Sequence, residues 1–464
     1  MTLTTSLEEF PPSDHLAVVV HLTDTSSYTT PLLYRLNTSL LSSDRLRDRT
    51  VACFQPYRSS FSWEATKTLA RSCARDYAVL ASRGRRSDLQ VLERQLAQAR
   101  HALACDIGND VLAARVVTLR DQLASTVTMA TSRAVLRARV RWLEEGETCS
   151  SYFFSRFRSR SDQSSTVLLR NTDGSHFRSA LTRQHHVQSY FSQVYAAPSF
   201  SADACSSFLS SVSLPSLSSD DVSSLLAPIT DSELLAAIRS SPLRKAPGPD
   251  GLPYKWYQTY SNELIPLLLP LFNDILQGAS PPPSWSQTLI TLIPKPDRDL
   301  SQITNWRPIT LSNCDVKLFS RILTSRLGPI LPRLVAYNQA GFVQGRQAAD
   351  VAMVLKSILA HAASTSVPGA LVFLDQEKAY DRISHDYLFA VLSRFGFPSS
   401  LQHAFAATFL HSSTYVLDDG LPVGPIAVGC GVRQGDPLAP LLFNLCFEPL
   451  LAAMRSCLCG IRLP

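Results

Sequence analysis

The stretch that most constrains this chain runs from Ala370 to His385, reading ALVFLDQEKAYDRISH. Its first five residues, Ala370 to Leu374, form a short apolar run of the kind that makes a strand buried on both faces. The run ends on one carboxylate, Asp375. An acid at the tip of a buried strand points into the cleft at the sheet edge; a lone acid there also suits an ordinary solvated strand end. A second stretch decides between the two. Gly431-Val432-Arg433-Gln434-Gly435-Asp436-Pro437-Leu438-Ala439-Pro440-Leu441-Leu442-Phe443-Asn444 places a Gln-Gly bend before an apolar helix. Asp436 is the expected N-cap and Pro437 the first helical residue, with Leu438, Leu441, Leu442 and Leu445 on the stripe behind them. The positive end of such a helix can face a nucleotide, and Gly435 lets the backbone approach a flat base.

Together the two stretches resemble sequence blocks of the reverse transcriptases of LINE-type, non-LTR retrotransposons. The resemblance covers most of residues 130–464 and is strongest from 285 to 445. It implies that Asp375 is catalytic and binds metal, that Tyr380 screens the sugar, and that Gln434 and Gly435 lie against nucleotide and template. It also implies Mg2+ as cofactor, and an RNA template, a DNA primer and deoxynucleotide triphosphates as partners. The implied chemistry is nucleotidyl transfer by two metal ions, which needs several carboxylates to hold both. Here Asp375 is the one acid the resemblance supplies. Glu377 projects differently, and Asp381 lies on the way into a helix. The family's aromatic-x-Asp-Asp hairpin follows its Gln-Gly block, and no such hairpin stands among residues 436–464. The isolated chain is therefore expected to be inactive as a polymerase.

Upstream, Thr288 to Pro296 reads as a strand ending on Lys295, and Asn305-Trp306-Arg307-Pro308-Ile309 as its partner. A hairpin with Lys on one arm and Arg on the other can clamp a triphosphate. The resemblance makes this hairpin the fingers and assigns Lys295 and Arg307 to the nucleotide. Lys317 to Leu327 reads as a helix with Leu318, Ile322 and Leu323 inward and Gly328 at its end. Asn338 to Arg346 resembles the polar block near template and primer, with Arg346 as a nucleic-acid contact. Arg244 to Gly251 packs two prolines and two glycines into a rigid turn with a basic entry, so Lys245 joins that list, as does Arg433. Tyr387 to Phe395 is an expected helix closed by Gly396. Asp418-Asp419-Gly420 lies between apolar runs and reads as a hairpin turn, since the pair precedes the Gln-Gly block.

The N-terminal half speaks more softly. Ser13-Asp14-His15 before the strand Leu16 to Val20 resembles the last motif of an apurinic-type endonuclease, which leaves Asp14 and His15 as a relic without the convergent ligands a metal site requires. Residues 24–60, rich in Ser, Thr and Arg, read as a connector. Leu89, Leu92, Leu96, Ala99 and Leu103 make one helical stripe, capped by Ser87 and Asp88, and Leu112, Val116, Leu119 and Leu123 make another after Gly108. Two short helices packed as a hairpin are expected; a self-associating helical module over 60–140 is a further alternative. From Arg133 to Arg160 stand seven Arg, three Glu and five aromatics. Guanidinium groups pair with phosphate and rings stack on unpaired bases, so Arg137, Arg139, Arg141, Arg156 and Arg158 are candidate RNA contacts. A solvated helix face with its aromatics in the core reads equally well. The Ser-rich run 199–224 reads as a surface linker.

The division expected is an endonuclease remnant at 1–23, a mainly helical linker and N-terminal extension at 24–235, and reverse transcriptase fingers with a partial palm at 236–464. The fold class is α+β: an incomplete right-hand polymerase behind a helical extension. A net charge of +6 suits a nucleic-acid partner without requiring one. The 10 cysteines contain no Cys-x-x-Cys pair, so zinc is not expected and the thiols read as reduced, in an intracellular protein. No apolar run reaches membrane-spanning length, so no membrane partner is expected. Two alternatives to a polymerase fragment are a non-catalytic nucleic-acid-binding module and a fragmentary retroelement product without activity.

Overall fold

The computed structural model describes residues 2–9, 16–23, 35–54, 62–106, 109–138, 169–171, 173–177, 179–243, 245–365 and 370–458. Two antiparallel strands open the chain, β1 (Thr2–Glu9) and β2 (Leu16–Thr23). Helices α1 (Asp44–Phe54), α2 (Trp63–Cys105) and α3 (Asp110–Ala138) follow. Next come α4 (Ala180–Val194), α5 (Ala202–Ser211), α6 (Ser219–Leu226), α7 (Asp231–Arg239), α8 (Tyr254–Thr259) and α9 (Ser261–Leu276). Strands β3 (Gln287–Pro294) and β4 (Trp306–Leu311) lead to α10 (Cys314–Leu327) and α11 (Ala348–Thr365). The chain continues through α12 (His385–Arg394), α13 (Ser399–Ala406), β5 (Ser413–Asp418), β6 (Leu421–Ala427) and α14 (Ala439–Cys457).

Contacts divide the chain into two units, 1–32 with 73–163, and 33–72 with 164–464. This grouping differs from the expected division at 24 and 236, because residues 33–72 pack with the C-terminal part. In the first unit Leu96 and Ala99 of α2 bury against Leu119 and Leu123 of α3, the expected hairpin core. The helices are longer than expected. Helix α2 runs straight through Ser87 and Asp88, so neither caps it, and it starts at Trp63. Asp14, His15 and Gly108 lie outside the described residues.

The second unit is built on a mixed sheet of order β4-β3-β5-β6. The β3–β4 hairpin is antiparallel, with Ile293 opposite Arg307, as the sequence predicts. Strands β3 and β5 run parallel, and β5 returns as β6 through Asp419 and Gly420. Both turn residues have positive φ (51° and 82°), the conformation of a two-residue hairpin turn, so Asp419 is turn chemistry and Asp418 is the last residue of β5. Helix α4 covers the sheet: Val187, Phe191 and Val194 bury against Ile290, Leu292, Trp306, Val416 and Ile426. A second aromatic core joins Phe272 of α9, Trp285 and Phe319 of α10, with ring centroids 5.3–6.0 Å apart. Each such fully buried side chain stabilises the unit by about 1.5–3 kcal/mol.

Several expectations need correction. The Ser-rich run 199–224 is not a linker. Ser201 and Ser218 accept from backbone N–H groups at the starts of α5 and α6, so serine nucleates helices there. The connector 24–60 contains helix α1, with Leu46 and Phe54 buried. Most important, residues 370–376 form no strand, and Phe373 and Leu374 are 80% and 78% exposed. An isolated strand leaves its backbone groups unpaired, and among the described residues none pairs with this run. Helix α11 before it likewise buries no residue.

Candidate nucleotide and template site

The Gln-Gly bend is held from two sides. Strand β4 is the edge of the sheet, and its free Thr310 amide donates to the Gln434 carbonyl at 3.2 Å. On the other side Val432 N donates to Tyr380 O at 2.9 Å and Gly431 N to Ile383 O at 2.7 Å. Gly431 has φ +86°, and a Cβ there would lie 2.9 Å from the Asp381 backbone, so only glycine allows this approach. The structure therefore ties the β3–β4 hairpin, Tyr380 and the Gln434–Gly435 bend together.

On the hairpin, Arg307 is exposed on β4. Lys295 follows β3 and donates from Nζ to Thr304 O at 2.9 Å, while its amide donates to Asn305 O. Tyr380 is half-buried and stacks on Phe443 at 5.1 Å; Phe443 stacks in turn on Phe447 at 5.5 Å, one helical turn along α14. Asp375 is exposed on the segment without secondary structure. Just after it, Lys378 lies over the Tyr190 ring at 5.1 Å and donates to Glu377 Oε1 at 3.0 Å. That bond, with Arg382 and Lys295 nearby, holds the Glu377 carboxyl below its ordinary range.

Two predicted nucleic-acid contacts are not available as such. Arg433 is 7% exposed and donates from Nη2 to Trp285 O at 2.8 Å; burial pulls its guanidinium below the ordinary arginine value. Its Nε and Nη1 are buried without a partner. Arg346 spends its guanidinium on loop carbonyls: Pro332 at 2.8 Å, Gln339 at 2.9 Å, Val335 at 3.1 Å, and Ala336. Both are expected as nucleic-acid contacts, whereas tertiary carbonyls take them up. Lys245 is exposed. Arg137 lies in the last turn of α3, where the backbone alone is described, and Arg139, Arg141, Arg156 and Arg158 lie outside the described residues.

The helix after the bend starts two residues later than expected, at Ala439, so Asp436 is not its N-cap. Asp436 is buried; its Oδ1 accepts from Leu438 N at 2.9 Å and from Ser320 Oγ, and burial raises its pKa. It ties α14 to α10.

A resident magnesium pair needs converging hard oxygen ligands. Among the described residues no group of three His, Cys, Asp or Glu side chains could hold a metal. Asp375 stands alone. Asp381 is buried and accepts from Tyr195 Oη at 3.3 Å, and Asp418 is bound by Arg183. The described residues do not fit a magnesium pair. A cavity of 20 Å³, enough for about one water, lies between Asp381, Thr288, Thr414 and Arg433 and is too small for a nucleotide.

Residues the sequence did not single out join this unit. Lys67 of α2 is buried between Asp250 and Asp315, and Tyr195 closes over Asp381. No local pattern marks them, since each partner is far along the chain. Among the described residues no helix is long and apolar enough to cross a membrane.

Residues 293–462 match the family model described as reverse transcriptase (RNA-dependent DNA polymerase). The Transposon TX1 uncharacterized 149 kDa protein of Xenopus laevis is 26% identical over 98% of this chain and 35% of its own length. The Retrovirus-related Pol polyprotein from type-1 retrotransposable element R2 of Popillia japonica is 31% identical over 49% of this chain and 31% of its own. The Probable RNA-directed DNA polymerase from transposon BS of Drosophila melanogaster is 28% identical, over 47% and 24%. The chain thus spans about a quarter to a third of these relatives. Residues 293–462 are thus similar to reverse transcriptases, and the relatives the chain resembles are those of LINE-type, non-LTR retrotransposons.

Proposed function

We propose that this chain is the template- and nucleotide-facing portion of an RNA-directed DNA polymerase of a non-LTR retrotransposon. The observation that carries this is the double attachment of the Gln434 bend, to Thr310 of β4, the strand that carries Arg307, and to the backbone of Tyr380. A flat base against Gly435, a sugar against the Tyr380 ring and a triphosphate toward Arg307 and Lys295 make a consistent set of contacts, because the cations sit on one hairpin arm each. Lys245 and the arginines at 137, 139, 141, 156 and 158 are proposed for the RNA backbone. Asp375 is the single candidate catalytic acid.

A polypeptide of these 464 residues binds RNA in this account and does not polymerise by itself, because among the described residues no group of carboxylates gathers round Asp375 to share a metal. The lone exposed Asp375 favours the related reading of a nucleic-acid-binding module for this polypeptide. A primer-extension assay on an RNA template tests it. No incorporation is expected; processive incorporation that disappears in Asp375→Ala would overturn the inactivity.

A further inference from the structure

Trp63, Glu64 and Lys67 lie on one face of α2, one turn apart, and all three bond within the second unit, to which this end of α2 belongs. Lys67 Nζ is 2.5 Å from Asp315 Oδ2 and 2.8 Å from Ser284 Oγ; it also lies 3.1 Å from Asp250 Oδ2, an ion-pair contact outside hydrogen-bond geometry. Trp63 Nε1 donates to the same Asp315 oxygen at 2.6 Å, and Glu64 Oε1 accepts from Ser284 N at 3.1 Å. The Lys67 side chain is 3% exposed, so it cannot touch a ligand. Burial pulls its ammonium down, but the Asp315 and Asp250 carboxylates more than offset that, and it stays charged.

Two chains of contacts lead from this cluster. In one, Asp250 N donates to Asn313 Oδ1 at 3.1 Å, its Oδ1 accepts from Leu252 N, and Gly248 packs so close to Asn313 that a Cβ would lie 2.4 Å from it. This fixes the loop from Lys245 to Gly251. In the other, Ser284 precedes Trp285, whose carbonyl takes the Arg433 guanidinium, and Arg433 precedes Gln434. A buried ion cluster is a poor source of stability beside an apolar one, but it fixes register.

We propose that Lys67 is a positioning residue that sets both the 245–251 loop and the Gln434–Gly435 bend. The proposal rests on the reading that these two segments face template and nucleotide. The test compares amide hydrogen exchange of the full chain with that of Lys67→Met/Asp250→Asn/Asp315→Asn, which leaves no uncompensated charge. The amides of Asp250, Leu252 and Thr310 should exchange at least about fivefold faster, with α12 unchanged. Wild-type exchange at all three in a folded variant overturns the proposal. If the variant does not fold, the wild-type chain is titrated with single-stranded RNA. Coupling is reciprocal, so protection of the loop should extend to the first turns of α2, and protection of the loop alone overturns it. RNA that fails to bind the wild-type chain overturns the functional reading; the ligand-free comparison is then made with Trp63→Phe, which removes the Nε1 bond to Asp315, and unchanged exchange at Asp250, Leu252 and Thr310 overturns the positioning role.

Discussion

The Thr310 amide donates to the Gln434 carbonyl at 3.2 Å, so the Gln434–Gly435 bend is an extension of the edge of the β3–β4 hairpin. The next residue, Gly435, holds φ +104° and would bring a Cβ to 3.5 Å from the Thr310 carbonyl. There is space for the methyl, and the cost is backbone strain. Gly435→Ala should lower stability by about 1–3 kcal/mol, read from the urea midpoint at unchanged slope. An unchanged midpoint would mean that the bend is free to relax.

Asp381 gives a pH signature. Burial pushes its carboxyl up to about 6, against the Tyr195 hydroxyl that donates to it. The folded state therefore holds a proton between about pH 4 and 6 that the unfolded chain has released, and this contribution to stability falls as pH rises through that window. The total is about 3 kcal/mol. Asp381→Asn keeps the shape and removes the titration. Its stability relative to wild type should rise between pH 4 and 6 and level off above; parallel curves across that range would contradict the assignment.

Arg183 of α4 donates from Nε to both oxygens of the fully buried Asp418 carboxylate, at 3.0 and 3.1 Å. Removing Arg183 takes both of these charge-assisted bonds from a buried carboxylate. Arg183→Met should cost about 3–5 kcal/mol, while Arg183→Met with Asp418→Asn should recover most of it. Thermal unfolding of the three proteins measures both numbers.

Gly248 is the tightest glycine contact near the loop, with Asn313 N and Oδ1 both 2.4 Å from a would-be Cβ. Gly248→Ala must push the loop off the start of α10, at a cost of about 1–3 kcal/mol. The same variant should weaken RNA binding, because Lys245 moves with the loop. Tight binding by a destabilised variant would separate Lys245 from the RNA.

Much of the second unit was readable because its signals are local. The β3–β4 hairpin, the Asp419–Gly420 turn, α10 ending at Gly328 and α12 followed by Gly396 all follow from periodicity and turn chemistry. Serine misled twice in opposite directions. Ser87 looks like a cap inside an unbroken helix, while Ser201 and Ser218 cap helices inside what reads as a linker. The run from Ala370 to Leu374 has strand composition, but strand formation needs a neighbour that composition does not reveal. Arg346 and Arg433 carry the charge expected of phosphate ligands, yet their fate depends on carbonyls from other segments. Lys67 had no signal, since its carboxylates come from beyond the next four helices in the same unit.

The central claim, that the segments around Gln434 present a template- and nucleotide-binding face, is tested most directly by the affinity of the 464-residue chain for single-stranded RNA across salt concentrations. The account predicts measurable binding at low salt, a linear fall of log K with log salt, and weaker binding in Arg307→Ala and Lys245→Ala. No binding at low salt, or binding indifferent to both salt and these two residues, would contradict it.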